Sequence, residues 1–127
     1  MTNHDAAARV ELIELSVPLD TRYGSLLRVV AATVGADAGF SIDEIDDVRL
    51  GLNEAFALLA EQGTDGRVRT TFRVDADRRL EIHMTPEPGG VAVEPDELAL
   101  AILRSVLDHY ELGADTIVLH KRATEAG

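Results

Sequence analysis

The sequence predicts a two-layer α/β (α+β) sandwich, a mostly antiparallel sheet with its helices on one face. Three observations predict it. Two stretches of helical period follow one another between residues 21 and 62 with no strand between them, whereas a doubly wound parallel sheet alternates strand and helix. Two strictly alternating stretches, 67–75 and 78–86, meet at the short connection "ADR" and form a hairpin. One more helix and one closing strand complete the order β-α-α-β-β-α-β.

Each element has its own warrant. Residues 1–8 are small and polar and are expected to be a disordered tail, residues 9–123 one domain, and 124–127 a second tail. "RVELIELSVPL" (9–19) is dense in Val, Ile and Leu and ends at Pro18, which reads as a strand. In 21–35, Leu26, Leu27, Val30 and Val34 recur at helical spacing, and Gly35 with "ADAGF" supplies a stop. Ser41 and Glu44 form a capping box: the serine oxygen can accept the Glu44 amide while the glutamate reaches back. Asp43, Asp46 and Asp47 place negative charge near the positive end of that helix. It should run to about Gln62, with Gly63 as its stop.

On this helix Ile45, Val48, Leu52, Phe56 and Leu59 fall in one stripe at 100° per residue, the face toward the sheet. Glu54 lies opposite, beside Asp47, Leu50, Leu58 and Glu61, a mixed face that either the third helix and loop 87–97 cover or a partner meets. The strands after it alternate Val68, Thr70, Phe72 and Val74 with Arg67, Arg69, Thr71 and Arg73, then Leu80, Ile82 and Met84 with Glu81 and His83. One sheet face therefore packs on the core and one meets water. Residues 87–97 form a loop, 97–112 a helix striped by Ala99, Ile102, Leu103, Val106 and Tyr110, and 115–123 a strand after Gly113.

Composition narrows the function. The 127 residues include no cysteine, which removes disulfides, cysteine-ligated zinc and thiol catalysis together. No apolar run approaches the roughly 20 residues that span a bilayer, and no secretory signal opens the chain, so a cytoplasmic protein without membrane contact is expected. A net charge of −11 repels phosphate backbones, which argues against direct nucleic-acid binding; it serves solubility alone or, beyond that, suits a basic protein partner. His4, His83, His109 and His120 show no i, i+4 ligand pair, so no metal site is expected, and His109 beside Asp108 reads as a helix-end residue. Arg67, Arg69 and Arg73 on one strand face could suggest an anion site but read better as a solvated sheet face. No serine–histidine–aspartate arrangement with a nucleophile elbow is visible.

The stretch "IDDVRLGLNEAFALLAEQG" resembles the N-box helix of the anti-sigma-factor serine kinases of the RsbW and SpoIIAB type, within the GHKL superfamily with its histidine-kinase-like ATPase (Bergerat) fold. "VPLDTRYGSLLRVVAATV", "LALAILRSVLDHYEL" and "GADTIVLHKRA" extend the resemblance over roughly residues 9–123. The family pattern is Glu-x-x-x-Asn, whose glutamate positions water or acts as base and whose asparagine holds magnesium. Glu54 matches the glutamate, and Leu58 stands at the asparagine. The family's first glycine box, Asp-x-Gly-x-Gly, is matched by Glu87, Pro88, Gly89, Gly90 and Val91, with valine at the second glycine. No threonine- or glycine-rich lid lies between that loop and the next helix. Leucine offers no oxygen to a hard cation.

The resemblance therefore implies an anti-sigma factor that sequesters a sigma factor of RNA polymerase, is countered by a STAS-type anti-anti-sigma protein, and forms a homodimer. It implies no cofactor, with ATP or ADP and Mg only if the degenerate site of Glu54, Glu87, Gly89 and Gly90 still functions. The alternative is an ATP-dependent serine kinase acting on the anti-anti-sigma protein, with Glu54 catalytic. The family's partner-contacting arginine falls at Arg28, which also reads as an ordinary solvated arginine, and Arg22 and Tyr23 could extend that patch.

Overall fold

The computed structural model describes residues 11–61, 65–89 and 93–124. The tail expected at 1–8 lies outside them, as do residues 125–127. Strand β1 (Glu11–Pro18) leads into a single 3-10 turn (Thr21–Tyr23), at which the Asp20 side chain accepts the Arg22 amide. Helix α1 (Gly24–Asp37) follows directly. It runs past Gly35 and ends within the expected stop "ADAGF", turning at Gly39. Gly39 takes φ +88, its amide donates to the Ala36 carbonyl, and the Phe40 amide donates to the Gly35 carbonyl. These paired bonds close a helix on a left-handed residue, which glycine adopts without strain. Gly35 is buried within the last turn, where a Cβ would stand 3.4 Å from both Ile45 and Phe40.

Helix α2 (Ile42–Ala60) begins at the expected capping box. Ser41 Oγ accepts the Glu44 amide at 3.1 Å, and Glu44 Oε1 accepts the Ser41 amide at 2.8 Å. The second carboxylate oxygen of Glu44 accepts the Thr124 amide at 2.7 Å, tying the start of α2 to the segment after the last strand. The expected stop at Gln62 and Gly63 lies outside the described residues.

Strands β2 (Arg67–Val74) and β3 (Arg79–Glu87) form the hairpin that the alternation predicts. Asp75 Oδ1 accepts the amides of Asp77 and Arg79 at 2.9 and 3.1 Å, and Arg78 completes the turn at φ 60. Helix α3 (Glu97–Val106) is capped by Asp96, whose side chain accepts the Ala99 amide at 2.8 Å.

The helix expected over 97–112 stops early. Residues His109–Leu112 form strand β4, which pairs with β5 (Ile117–Arg122) across a tight turn closed by the Gly113 amide on the Thr116 carbonyl. Tyr110 lies four residues beyond Val106, as in a helical stripe, yet Tyr110 and Leu112 also face inward by alternation, with His109 and Glu111 outward. The two periods share the same apolar positions, and hydrogen bonding decides between them. Asp108 donates its amide to the His120 carbonyl, and its carboxylate accepts the Arg122 amide at 2.7 Å. Lys121 then holds the helix end, donating to the Val106 carbonyl at 2.9 Å and to Asp47 at 3.2 Å.

The sheet has the order β1-β2-β3-β5-β4 with every neighbouring pair antiparallel. The helices cover one face. Leu52, Phe56 and Leu59 of α2 meet Phe72, Ile82, Met84, Ile117 and Leu119 from the strands in one buried cluster. Each such fully buried side chain contributes about 1.5–3 kcal/mol relative to exposure. The opposite face carries Arg69, Arg73, Glu81, His83 and His120.

Candidate functional site

Helix α2 positions the residues around Glu54. Val48, Leu52, Phe56 and Leu59 are buried, and so are Ala55 and Leu58. Leu58, expected on the mixed outer face, keeps only 4% of its surface, so the buried side of α2 is wider than the predicted stripe. Leu50 remains 45% exposed and Glu54 is half-buried. One turn beyond Glu54 the chain thus presents an enclosed hydrocarbon, where a magnesium site needs oxygen.

Glu87 ends β3 with its carboxylate 3.2 Å from Arg69 Nη1, and Arg69 Nε lies 3.5 Å from Glu14. Its charge is therefore directed along the sheet face toward an arginine. Gly89 is exposed, and a Cβ there would make only ordinary contacts, with Asp115 at 3.7 Å and the Pro86 carbonyl oxygen at 3.9 Å. Gly90 lies outside the described residues. Only residues 88–96 connect β3 to α3. Among the described residues no hydrogen bond or ion pair links Glu54 to Glu87.

Arg28 is half-buried on α1, and its Nη1 donates to Asn53 Oδ1 at 2.6 Å. The residue expected to meet a partner is thereby joined to the one just before Glu54. Arg22 and Tyr23 touch each other: the guanidinium sits 5.2 Å from the ring centroid, with Asp20 3.4 Å from Nε. Leu26, expected in the apolar stripe, is 44% exposed, and Val29 is 61% exposed. Asn53 and Val29 escaped the sequence reading; the 4, 3 spacing of Arg22, Leu26 and Val29 was the available signal.

The outer sheet face gathers side chains that the sequence keeps apart. Glu81 Oε1 lies 2.8 Å from His83 Nε2, and Glu81 Oε2 lies 3.4 Å from His120 Nδ1. The His83 hydrogen bond first, and the positive character of His120 and Arg73 besides, hold the Glu81 carboxyl below its ordinary range against the opposing effect of burial. Burial lowers His120 below the ordinary imidazole value, with Glu81 offsetting part of that effect. His109 stands in β4, not at a helix end, 3.2 Å from Glu111. Beside this group lies an open depression of about 940 Å³, lined by Arg78, Arg79, Asp108, His109, His120 and Arg122 among others. None of the residues expected from the sequence to bind nucleotide or partner lines it.

No family model matches the chain. It is similar to the serine-protein kinase RsbW of Bacillus pumilus (strain SAFR-032), 31% identical over 86 residues, which are 63% of this chain and 52% of that protein. Serine-protein kinase RsbW of Bacillus cereus (strain AH187) is 30% identical over 77 residues, 58% of this chain and 48% of that protein. The chain spans about half the length of the curated relatives it matches. Among solved structures, the RsbU and RsbW domains of Rv1364c from Mycobacterium tuberculosis superpose with TM-score 0.64 over 91% of this chain and 35% of that one. At 13% identity this likeness is one of fold.

Proposed function

We propose that this chain, which is of the RsbW type in sequence and fold, is an anti-sigma factor: it holds a sigma factor of RNA polymerase by protein–protein contact, releases it to a STAS-type anti-anti-sigma protein, and no longer carries out the ATP reaction. The observation that carries the loss of the reaction is Leu58, buried one turn from Glu54 where the resembled pattern has a magnesium-holding asparagine. The short connection 88–96 and the engagement of Glu87 by Arg69 support the same reading. Phosphoryl transfer is catalysed by cradling amides and cations placed around the phosphates, and those parts have no counterpart at Leu58.

Binding is supported on α1. Arg28 offers a planar fork suited to a partner carboxylate. Leu26 and Val29 stand exposed on the same helix, with Arg22 and Tyr23 ahead of it, an apolar centre edged by polar groups of the kind protein interfaces use. The test is recovery of the protein from its own cytoplasm with identification of what stays attached, followed by titration of the purified pair. A sigma factor is expected, with an affinity unchanged by ATP and magnesium and weakened about tenfold or more by Arg28→Glu. Retention of neither a sigma factor nor a STAS-type protein would overturn the reading.

A kinase reading is favoured by one observation, the retained and half-exposed Glu54 in a chain similar to proteins named as serine-protein kinases. Labelled ATP incubated with the STAS-type partner decides it. The expected result is no incorporation; incorporation that vanishes in Glu54→Ala would establish the kinase instead.

A further inference from the structure

The outward face of β3, β5 and β4 carries a group of side chains that partner binding on α1 leaves unused. His109 and His120 stand directly opposite each other in the β4–β5 pair, and Glu81 stands opposite His120 in the β3–β5 pair. Glu111 is two residues beyond His109, hence on the same face. One ligand atom from each of His109, Glu111 and His120 lies within 4.8 Å of the other two. The imidazole centroids are 5.1 Å apart and tilted by 58°, so the rings do not stack closed over the space between them.

Two imidazoles and one carboxylate converging on one point form a donor set for zinc and its neighbours, not for magnesium or calcium, which take oxygen. Zinc holds such atoms about 2.0–2.2 Å from itself, which asks the three to close by rotation of side chains. His109 and Glu111 have the room: their side chains are 59% and 61% exposed. His120 is the fixed member at 15%. Its Nδ1 faces Glu81, and Glu81 is in turn held by His83 at 2.8 Å. A carboxylate on the far nitrogen is the outer partner that orients metal-binding histidines and leaves the other nitrogen for the ion. The depression beside His109 and His120 admits solvent, so a fourth position stays open.

We propose that His109, Glu111 and His120 bind a divalent transition ion of zinc's class on the outer sheet face, with Glu81 as the positioning residue for His120. The ion would join β4, the last strand of the sheet, to β5 through side chains as well as backbone. This is a site apart from the nucleotide region of α2, and its chemistry differs from that of a magnesium phosphate site.

Calorimetric titration of the full chain with zinc chloride tests it. One saturable ion per chain is expected, with no comparable binding of magnesium chloride. Cobalt in place of zinc should give visible absorption bands that His109→Gln abolishes. Glu81→Gln should weaken zinc by about tenfold, and His109→Gln or His120→Gln by more. His109 is exposed, so its variant should melt like the parent without metal, which separates loss of a ligand from loss of fold. Absence of saturable zinc binding, or affinity retained in either histidine variant, overturns the proposal.

Discussion

Glu44 shows how much one carboxylate can do when both oxygens are used. Its acceptance of the Ser41 amide, first, and its hydrogen bond with the Thr124 side chain next hold its pKa down from 4.5 to about 2, with the Thr124 amide adding less and burial working in the opposite direction. The unfolded chain binds this proton near the ordinary value and the folded chain only near 2, so the stabilisation is complete above about pH 4.5 and disappears as pH falls through 2. A shift of that size corresponds to something on the order of 3 kcal/mol. Glu44→Gln should therefore lower the urea midpoint at pH 7, with the gap between parent and variant closing toward pH 2. A gap independent of pH would assign the loss to packing instead. Ser41 and Glu44 were readable as a pair because their relation spans three residues; the third contact, at Thr124, spans eighty and has no local sign.

At the level of elements, close backbone approach sets a second vulnerable point. Gly66 precedes β2, and a Cβ there would collide with the carbonyl oxygen of Glu87 across the strand pair. Because the obstacle is backbone, no rotamer change relieves it. Gly66→Ala should destabilise by more than about 1 kcal/mol, seen as a lower melting temperature by circular dichroism; an unchanged melt would mean that the β2–β3 ends can separate. The same scale explains which elements the sequence disclosed. β2 and β3 were readable because Val68, Phe72, Leu80 and Ile82 alternate with charged residues. β4 was not, since Tyr110 satisfies both periods and only the pairing of Asp108 with β5 chooses the strand. A helical wheel placed Leu58 away from the sheet but could not say that it is buried all the same. The meeting of His109 with His120 depends wholly on that β4–β5 register. For the candidate nucleotide and partner residues, the wheel disclosed Glu54 on its helix, while the bond from Arg28 to Asn53 arises from the crossing of α1 over α2.

For the whole molecule, charge is the dominant surface property. A net −11 over 127 residues creates a field that draws a basic partner from a distance and is screened by salt. Association with the proposed sigma-factor partner should thus slow severalfold as ionic strength rises from about 0.05 to about 0.2 M, with dissociation changing far less. Stopped-flow measurement of both rates checks this; an association rate indifferent to salt would remove steering from the account. Among the described residues no helix is long and apolar enough to cross a membrane.

The sheet order has a kinetic consequence as well. β2 pairs with β3 through a four-residue connection, but β1 pairs with β2 in a register that sets Glu11 against Val74 and Pro18 against Arg67. Everything in α1 and α2 lies inside the loop that this pairing closes. The entropy of closing it must be spent before its hydrogen bonds repay it. The hairpin and the α1–α2 pair should therefore form first, on local contacts, with β1 joining a sheet already begun.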